Sequence, residues 1–401
     1  MGRARLFGAV LAFLTLCQAS ALAGPALLFE ATTGKVLYSE DQDNQWHPAS
    51  LTKIMTAYVT FEAIKEGKIT LDSKLVCTEA ANKEPPSKIG LPIGAEMSVE
   101  LGLKALIVKS ANDVAVMLAE AVGGNVEGFV ARMNATARKL GMTRTHFSNP
   151  NGLPAPDQVT TARDLAKLAR AVVRDYPQYA EWWAMPVIQV GKIKLASHNG
   201  LLRTFEGADG LKTGFICDSG FNVVASATRD GTRLMAVVLG EPTPNDRSLR
   251  AASLLEHGFQ HYGWKTFFNT TDIDNMPIAE TAKGVVSIRT SVLSWDCGHR
   301  PRGVLKAQAL NKSRAARAKA RQKRKEKATT EASAETPANA GEKAAAGAKP
   351  AAKASTSEGA KAGEKSIGTP AAKPAAAKKP AAPATAAAAK TEKPKSINAS
   401  N

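Results

Sequence analysis

Ser50 and Lys53 stand three residues apart, where a loop containing Pro48 gives way to a long run with apolar periodicity. In a helix, residues at this spacing lie one turn apart on the same face, with Cβ atoms roughly 5–6 Å apart. An amine at that distance can take the proton of a hydroxyl, which by itself is a poor nucleophile. The spacing therefore predicts nucleophilic catalysis by Ser50 with Lys53 as its base. The alternative is an ordinary N-capped amphipathic helix.

A lysine base requires a neutral amine. With an ordinary pKa of about 10.4, almost every lysine is protonated at pH 7, so the pKa of Lys53 must fall by several units. Burial and a neighbouring like charge both lower a lysine pKa. Lys212 is the candidate neighbour, and Ser110 could relay a proton between the two amines. Gly214 would let a substrate backbone lie close to the strand that carries Lys212.

Ser50-x-x-Lys53, Ser110-Ala111-Asn112 and Lys212-Thr213-Gly214 occur in the order of the three motifs of penicillin-binding proteins and class A β-lactamases. The wider sequence resembles the low-molecular-mass penicillin-binding proteins that act as D-alanyl-D-alanine carboxypeptidases. This resemblance covers roughly residues 24–262 and is carried by residues 48–56, 109–113, 149–153, 209–214 and 220–227.

The resemblance implies a penicillin-binding hydrolase that removes the terminal D-Ala from peptidoglycan stem pentapeptides through an acyl-enzyme on Ser50. It implies three catalytic residues and six substrate-binding residues: Ser50, Lys53 and Ser110; and Asn112, Lys212, Thr213, Gly214, Phe215 and Arg247. The peptide would lie as an extra strand beside residues 212–215. Its carboxylate would meet Lys212, Thr213 and Arg247, and Asn112 would hold its penultimate amide. The backbone N–H groups of Ser50 and Phe215 would bind the oxyanion.

Three alternatives stay open: a D,D-endopeptidase, a β-lactamase of the same fold, and a non-catalytic wall-binding protein that acts through its basic tail. Phe215 departs from the family, which often has a polar residue after the glycine of Lys-Thr-Gly. No glutamate stands where class A β-lactamases place their deacylating base. No cofactor is expected, and His47, His198, His257 and His261 lack metal-ligand spacing, so no metal is expected either.

The ends of the chain differ from its centre in composition. Residues 1–23 have a basic start, an apolar core and a small-x-small end, which predicts a signal peptide and export to the periplasm or cell envelope. Residues 303–401 form an Ala/Lys/Pro-rich tail, and residues 301–401 hold 22 Lys and Arg against seven Glu. The tail is predicted to be disordered, as a spacer or as a contact to anionic envelope polymers. Nucleic acid is not expected as a partner.

Between these ends we expect a catalytic domain over residues 24–262 and a short ordered extension over residues 263–302, with no transmembrane segment in the mature chain. Cys77, Cys217 and Cys297 allow at most one disulfide, whose pairing the sequence leaves open. Membrane attachment through a terminal amphipathic helix, as in longer members of the family, is not expected.

Strand-like runs at both ends of the catalytic domain, with helices between them, predict an α+β fold. The resemblance implies a β-lactamase/transpeptidase-like architecture, with one antiparallel sheet built from both ends and flanked by helices. Residues 72–97 are expected to be irregular. The expected strands are 26–30, 35–38, 187–195, 209–215, 220–228, 234–240, 284–289 and 291–295, and the expected helices are 50–65, 98–109, 114–121, 126–140, 161–174 and 250–262.

Overall fold

A computed structural model describes residues 24–268, 270–294 and 297–298. The expected signal peptide and the basic tail from residue 303 lie outside these residues. Among the described residues no single helix is long and apolar enough to span a membrane. Two consecutive helices, 112–123 and 126–139, meet that requirement only when taken together, and they are bent by 84°.

One five-stranded antiparallel sheet forms the centre of the fold, with the strand order β2-β1-β9-β8-β7. Two strands come from the beginning of the chain and three from much later, so the predicted α+β fold is confirmed. Each strand is hydrogen-bonded to its neighbour, as in the pairs Leu28 with Ala236 and Lys212 with Val224. The strands are β1 Ala26–Glu30, β2 Val36–Glu40, β7 Ala208–Ile216, β8 Gly220–Arg229 and β9 Thr232–Glu241.

Helices cover both faces of this sheet. The longest helix packs its Ala251 and Leu255 against strand residues such as Val223 and Ala236 on one face. Leu201, in a short helix over residues 201–204, joins this cluster, and the other helices build a larger apolar core on the opposite face. The helices are α1 Thr52–Lys65, α2 Glu79–Lys83, α3 Val99–Val108, α4 Asn112–Gly123, α5 Val126–Lys139, α6 Ala162–Asp175, α7 Ala180–Ala184, α8 Leu201–Thr204 and α9 Pro244–Phe268.

Helix α1 differs from the predicted amphipathic helix. Every residue from Thr52 to Phe61 is buried, and a single 3₁₀ turn, Ala49–Leu51, precedes the helix. A helix buried on all sides is a central element rather than a surface one. Ser50 therefore lies on a turn directly before the first residue of the most deeply buried helix, and this helix supports it rigidly.

Of three other local expectations, the first and the last were wrong, and the second was right about strand but missed its division into two. The stretch 72–97 contains β3 Lys74–Val76, α2 and β4 Glu96–Ser98, and the two strands pair with each other. The alternating run 187–195 is a hairpin of β5 Val187–Val190 and β6 Ile193–Ala196. In the described part of 284–295 no strand forms, and Arg289–Ser291 is a 3₁₀ turn. Alternation alone did not reveal whether a partner strand was within reach.

The segment that follows α9 packs along the rest of the fold. Ile273 is fully buried, and its N–H donates to the carbonyl of Gly34 over 3.0 Å. Further along, the N–H of Ile288 donates to the carbonyl of Asp218 over 3.1 Å. A disulfide between Cys217 and Cys297, with 5.4 Å between the Cα atoms, ties the end of this segment to the β7–β8 turn. Cys77, the other cysteine among the described residues, is buried and free.

Candidate active site

The sequence-predicted site residues converge on one cleft of about 600 Å³. Lys53 and Lys212 are not among the residues that line it, and they are only 1% and 2% exposed. The cleft is bounded by the turn before α1, the start of α4 and strand β7. Among its lining residues are seven of the predicted ones: Ser50, Ser110, Asn112, Thr213, Gly214, Phe215 and Arg247.

The Lys53 amine is held by three oxygen atoms. Its Nζ lies 3.0 Å from Ser50 Oγ and 2.8 Å from Asn112 Oδ1, and it also bonds the main-chain carbonyl of Asn151. A neutral amine has two N–H donors and one lone pair. If the two amide carbonyls accept the two N–H groups, the lone pair faces the Ser50 hydroxyl. This arrangement suits a base that removes the hydroxyl proton.

The electrostatic surroundings favour the neutral amine. Burial lowers the pKa of Lys53 well below its usual range, and the charge of Lys212 lowers it further, while Glu84 and Asp113 act in the opposite direction. Burial, followed by the charge of Arg247, lowers the pKa of Lys212 to about 7. These are the two causes expected from the sequence, desolvation and a like charge.

Ser110 lies in the tight bend between α3 and α4. It is 6% exposed and adopts φ +63°, in the left-handed region that few non-glycine residues occupy. Ala49, directly before Ser50, also has a positive φ of +49°. Ser110 and Ala49 thus both have backbone conformations that the surrounding fold must enforce.

Asn112 begins α4 and uses both ends of its amide. Its Oδ1 accepts from Lys53, and its Nδ2 donates to the carbonyl of Pro85 over 2.8 Å. A primary amide has two N–H donors and two acceptor lone pairs, so Asn112 keeps capacity for a further amide partner.

Two glycines let backbone segments approach the Ser50 turn. A Cβ on Gly214 would stand 2.9 Å from the carbonyl oxygen of Pro48 and 3.1 Å from the Ser50 nitrogen. A Cβ on Gly152, whose φ is +85°, would stand 1.9 Å from the carbonyl oxygen of Ala49. The close approach at Gly214 was expected to serve a substrate backbone. The close approach that the structure contains is between β7 and the nucleophile turn.

Arg247 and Lys212 form a buried cationic pair at one end of the cleft. Arg247 is 6% exposed, and its Nε has no hydrogen-bond partner among the described residues. Its Nη2 donates to the carbonyl of His198 over 3.4 Å. Burial lowers the pKa of Arg247 to about 10. Two desolvated cations beside a cleft, one with an unused donor, suit an anionic ligand such as a carboxylate.

The sequence reading assigned no role to two neighbours of Lys53. Asn151 places its carbonyl on the Lys53 amine, and Glu84 accepts from the Asn151 side chain over 3.0 Å. Asn151 belonged to a turn cluster that resembled the family, and that was its signal. Glu84 stands in the stretch expected to be irregular, where no periodicity pointed to it.

Comparison with known proteins agrees with this geometry. A family model described as D-alanyl-D-alanine carboxypeptidase, peptidase S11, matches residues 14–243. The chain is 38% identical over 242 residues to D-alanyl-D-alanine carboxypeptidase DacA of Haemophilus influenzae, covering 59% of this chain and 61% of that protein. It is also 38% identical to DacC of Escherichia coli, covering 59% of this chain and 61% of that protein. The chain thus spans about three fifths of the length of these curated relatives.

Solved structures give the same result. Penicillin binding protein 5 of Haemophilus influenzae superimposes with a TM-score of 0.58 at 37% identity, covering 59% of this chain and 71% of that one. Penicillin-binding protein D2 of Listeria monocytogenes, solved in a cefotaxime-bound form, gives 0.55 at 32% identity and covers 59% of this chain and 97% of that one. With the family match spanning more than half of its length, the chain belongs to the D-alanyl-D-alanine carboxypeptidase family, peptidase S11.

Proposed function

We propose that this chain is a serine-type D-alanyl-D-alanine carboxypeptidase that acts on peptidoglycan stem pentapeptides. The observation that carries the proposal is the 3.0 Å contact between Ser50 Oγ and the buried Lys53 amine, at the floor of an open cleft. The reaction needs a nucleophile, a neutral base, an oxyanion site and an anchor for the terminal carboxylate. Ser50, Phe215 and Arg247 line the cleft, and the Lys53 amine contacts Ser50, which supplies a candidate for each of these needs.

In the acylation step, Ser50 Oγ attacks the carbonyl carbon of the penultimate D-Ala while its proton passes to Lys53. The backbone N–H groups of Ser50 and Phe215 bind the oxyanion. When the tetrahedral intermediate collapses, the C–N bond breaks and the leaving amine takes a proton, delivered through Ser110 or directly from Lys53. Free D-Ala leaves, and an ester to Ser50 remains.

In the deacylation step, water attacks the ester carbonyl with Lys53 or Ser110 accepting its proton, and the shortened peptide departs as Ser50 regains its proton. During both steps the peptide lies along β7 beside Thr213 and Gly214. Its carboxylate meets Lys212, Thr213 and Arg247, and Asn112 holds its penultimate amide. A β-lactam would acylate Ser50 in the same way.

We further propose that the protein is exported and works in the cell envelope, where the tail over residues 303–401 contacts anionic polymers. This part is supported by composition alone, since residues 301–401 hold 22 basic residues against seven acidic ones.

Labelled penicillin and a pentapeptide test the enzyme directly. The wild-type chain should take up one label per molecule and release free D-Ala, and Ser50→Ala should do neither. Ser39→Ala, a serine substitution outside the cleft, serves as the matched control and should keep both activities. A variant that lacks residues 303–401 should also keep them. Undiminished labelling of Ser50→Ala would refute the nucleophile assignment, and labelling without D-Ala release would refute the carboxypeptidase assignment.

A further inference from the structure

Glu84 is the residue that follows α2, and it contacts a neighbour of the Lys53 amine. Its Oε2 accepts from Asn151 Nδ2 over 3.0 Å, and the Asn151 carbonyl accepts from the Lys53 amine. One residue therefore links the carboxylate to the base. Asn151 is itself 2% exposed, and Glu84 is half-buried.

The chain around Glu84 is tied to the start of α4. The N–H of Asn112 donates to the carbonyl of Ser87 over 2.8 Å, and the amides of Ile89 and Gly90 donate to the Asp113 carboxylate. Pro85 accepts from the Asn112 side chain. The segment that carries Glu84 is thus held against the same helix that supplies Asn112 to Lys53. This gives the carboxylate a defined position.

The charges near the base are unbalanced without Glu84. The positive charge of Lys212 acts on Lys53, and that of Arg247 acts on Lys212. The negative groups that act on Lys53 are Glu84 and Asp113, and Asp113 already accepts three backbone N–H groups. The pKa of Glu84 is raised above its ordinary value, chiefly by burial, while Lys53 and the hydrogen bond from Asn151 act to lower it.

We propose that Glu84 is a positioning residue for the base: it orients Asn151, whose carbonyl directs the Lys53 amine toward Ser50, and it supplies a negative charge that opposes the effect of Lys212 on Lys53. This inference rests on the proposed acylation of Ser50. It assigns Glu84 no contact with substrate, and no bond to Glu84 forms or breaks.

Glu84→Gln separates the charge from the hydrogen bond. Glutamine keeps a carbonyl oxygen that can accept from Asn151 Nδ2, so the orientation of Asn151 should persist. Loss of the negative charge should lower the pKa of Lys53, because an opposite charge favours the protonated amine. The acid limb of the pH profile of penicillin acylation should move to lower pH by about one unit.

Glu84→Ala removes both the charge and the anchor. It should show the same displacement of the acid limb and, in addition, an acylation rate constant on the plateau lowered by about tenfold, equivalent to roughly 1.4 kcal/mol of barrier. Glu79→Gln is the matched control, since Glu79 lies on α2 five residues away, exposed and paired with Lys83. Its profile should coincide with that of the wild type.

The measurement is the second-order rate constant of labelled-penicillin acylation between pH 5 and 10, with thermal unfolding of each variant recorded alongside. An acid limb of Glu84→Gln that does not move, in a folded protein, overturns the inference and leaves the proposed function in place. So does a displacement to higher pH, or the same displacement in Glu79→Gln. A wild-type chain that takes no label overturns the proposed function, and this inference with it.

Discussion

Lys212→Met should stabilise the protein while it impairs the site. Lys212 is 2% exposed, and burial together with Arg247 lowers its pKa from 10.5 to about 7. Between these two values the unfolded chain binds more protons than the folded one, so the wild type gains stability as pH rises through this window. The loss of stability caused by burying the charged amine is fully present below the pKa of the folded state, and it disappears above the pKa of the unfolded state.

A shift of 3.5 units corresponds to a penalty of about 5 kcal/mol at pH 6, at 1.36 kcal/mol per unit. By pH 9 about 2 kcal/mol of it remains. Methionine matches the length of lysine without the charge, so it removes this penalty at both pH values. It also removes the hydrogen bond from Lys212 to the Thr213 carbonyl, at a cost of about 1 kcal/mol that is independent of pH. The advantage of Lys212→Met should therefore be about 4 kcal/mol at pH 6 and about 1 kcal/mol at pH 9.

Urea unfolding at several pH values, with the disulfide kept oxidised, measures this difference. Lys192→Met, in the exposed turn between β5 and β6, is the matched control and should show no such trend. An advantage of Lys212→Met that is equal at pH 6 and pH 9, or a variant less stable than the wild type at pH 6, would refute the reasoning. Penicillin acylation of the same variant should fall, because we propose that Lys212 anchors the carboxylate.

Two further predictions follow from the backbone around the site. Replacing both Cys217 and Cys297 by Ser should lower the free energy of unfolding by roughly 4 kcal/mol, because the disulfide closes a loop with a sequence separation of 80 residues. Urea unfolding measures this loss, and Cys77→Ser is the control that leaves the disulfide intact. A loss under 1 kcal/mol would contradict the prediction. Gly152→Ala should lower the rate of penicillin acylation at least tenfold, because its Cβ would stand 1.9 Å from the Ala49 oxygen and displace the Ser50 turn. Gly191→Ala, at a positive-φ glycine in open space, is the control. An unchanged acylation rate in Gly152→Ala would show that the turn tolerates the displacement.

The local motifs were readable from the sequence because they depend on spacing. Ser50 and Lys53 are neighbours in any helix or helical turn, so their contact required no knowledge of the tertiary fold. The strands β7, β8 and β9 were also predicted, since alternation and turn residues are local signals. The resemblance to the carboxypeptidase family added the expectation that the three motifs meet.

Interactions between distant segments were beyond reach of that reading. Alternation predicted strands in the segment that follows α9, where the structure has a 3₁₀ turn and a disulfide to Cys217 instead. Glu84 was missed for the same reason, since its partner Asn151 is 67 residues away.

By itself, the sequence determined which residues could perform the chemistry, their order, and the class of fold, because motif spacing and hydrophobic periodicity are properties of short stretches. Only the tertiary structure decided that Lys53 and Lys212 are buried, with lowered pKa values. It also decided that the backbone at Gly152 and Gly214 approaches the Ser50 turn closely, and that Glu84 is connected to Lys53 through Asn151. Burial, close approach and electrostatic coupling depend on which distant segments come together, and no local pattern records that.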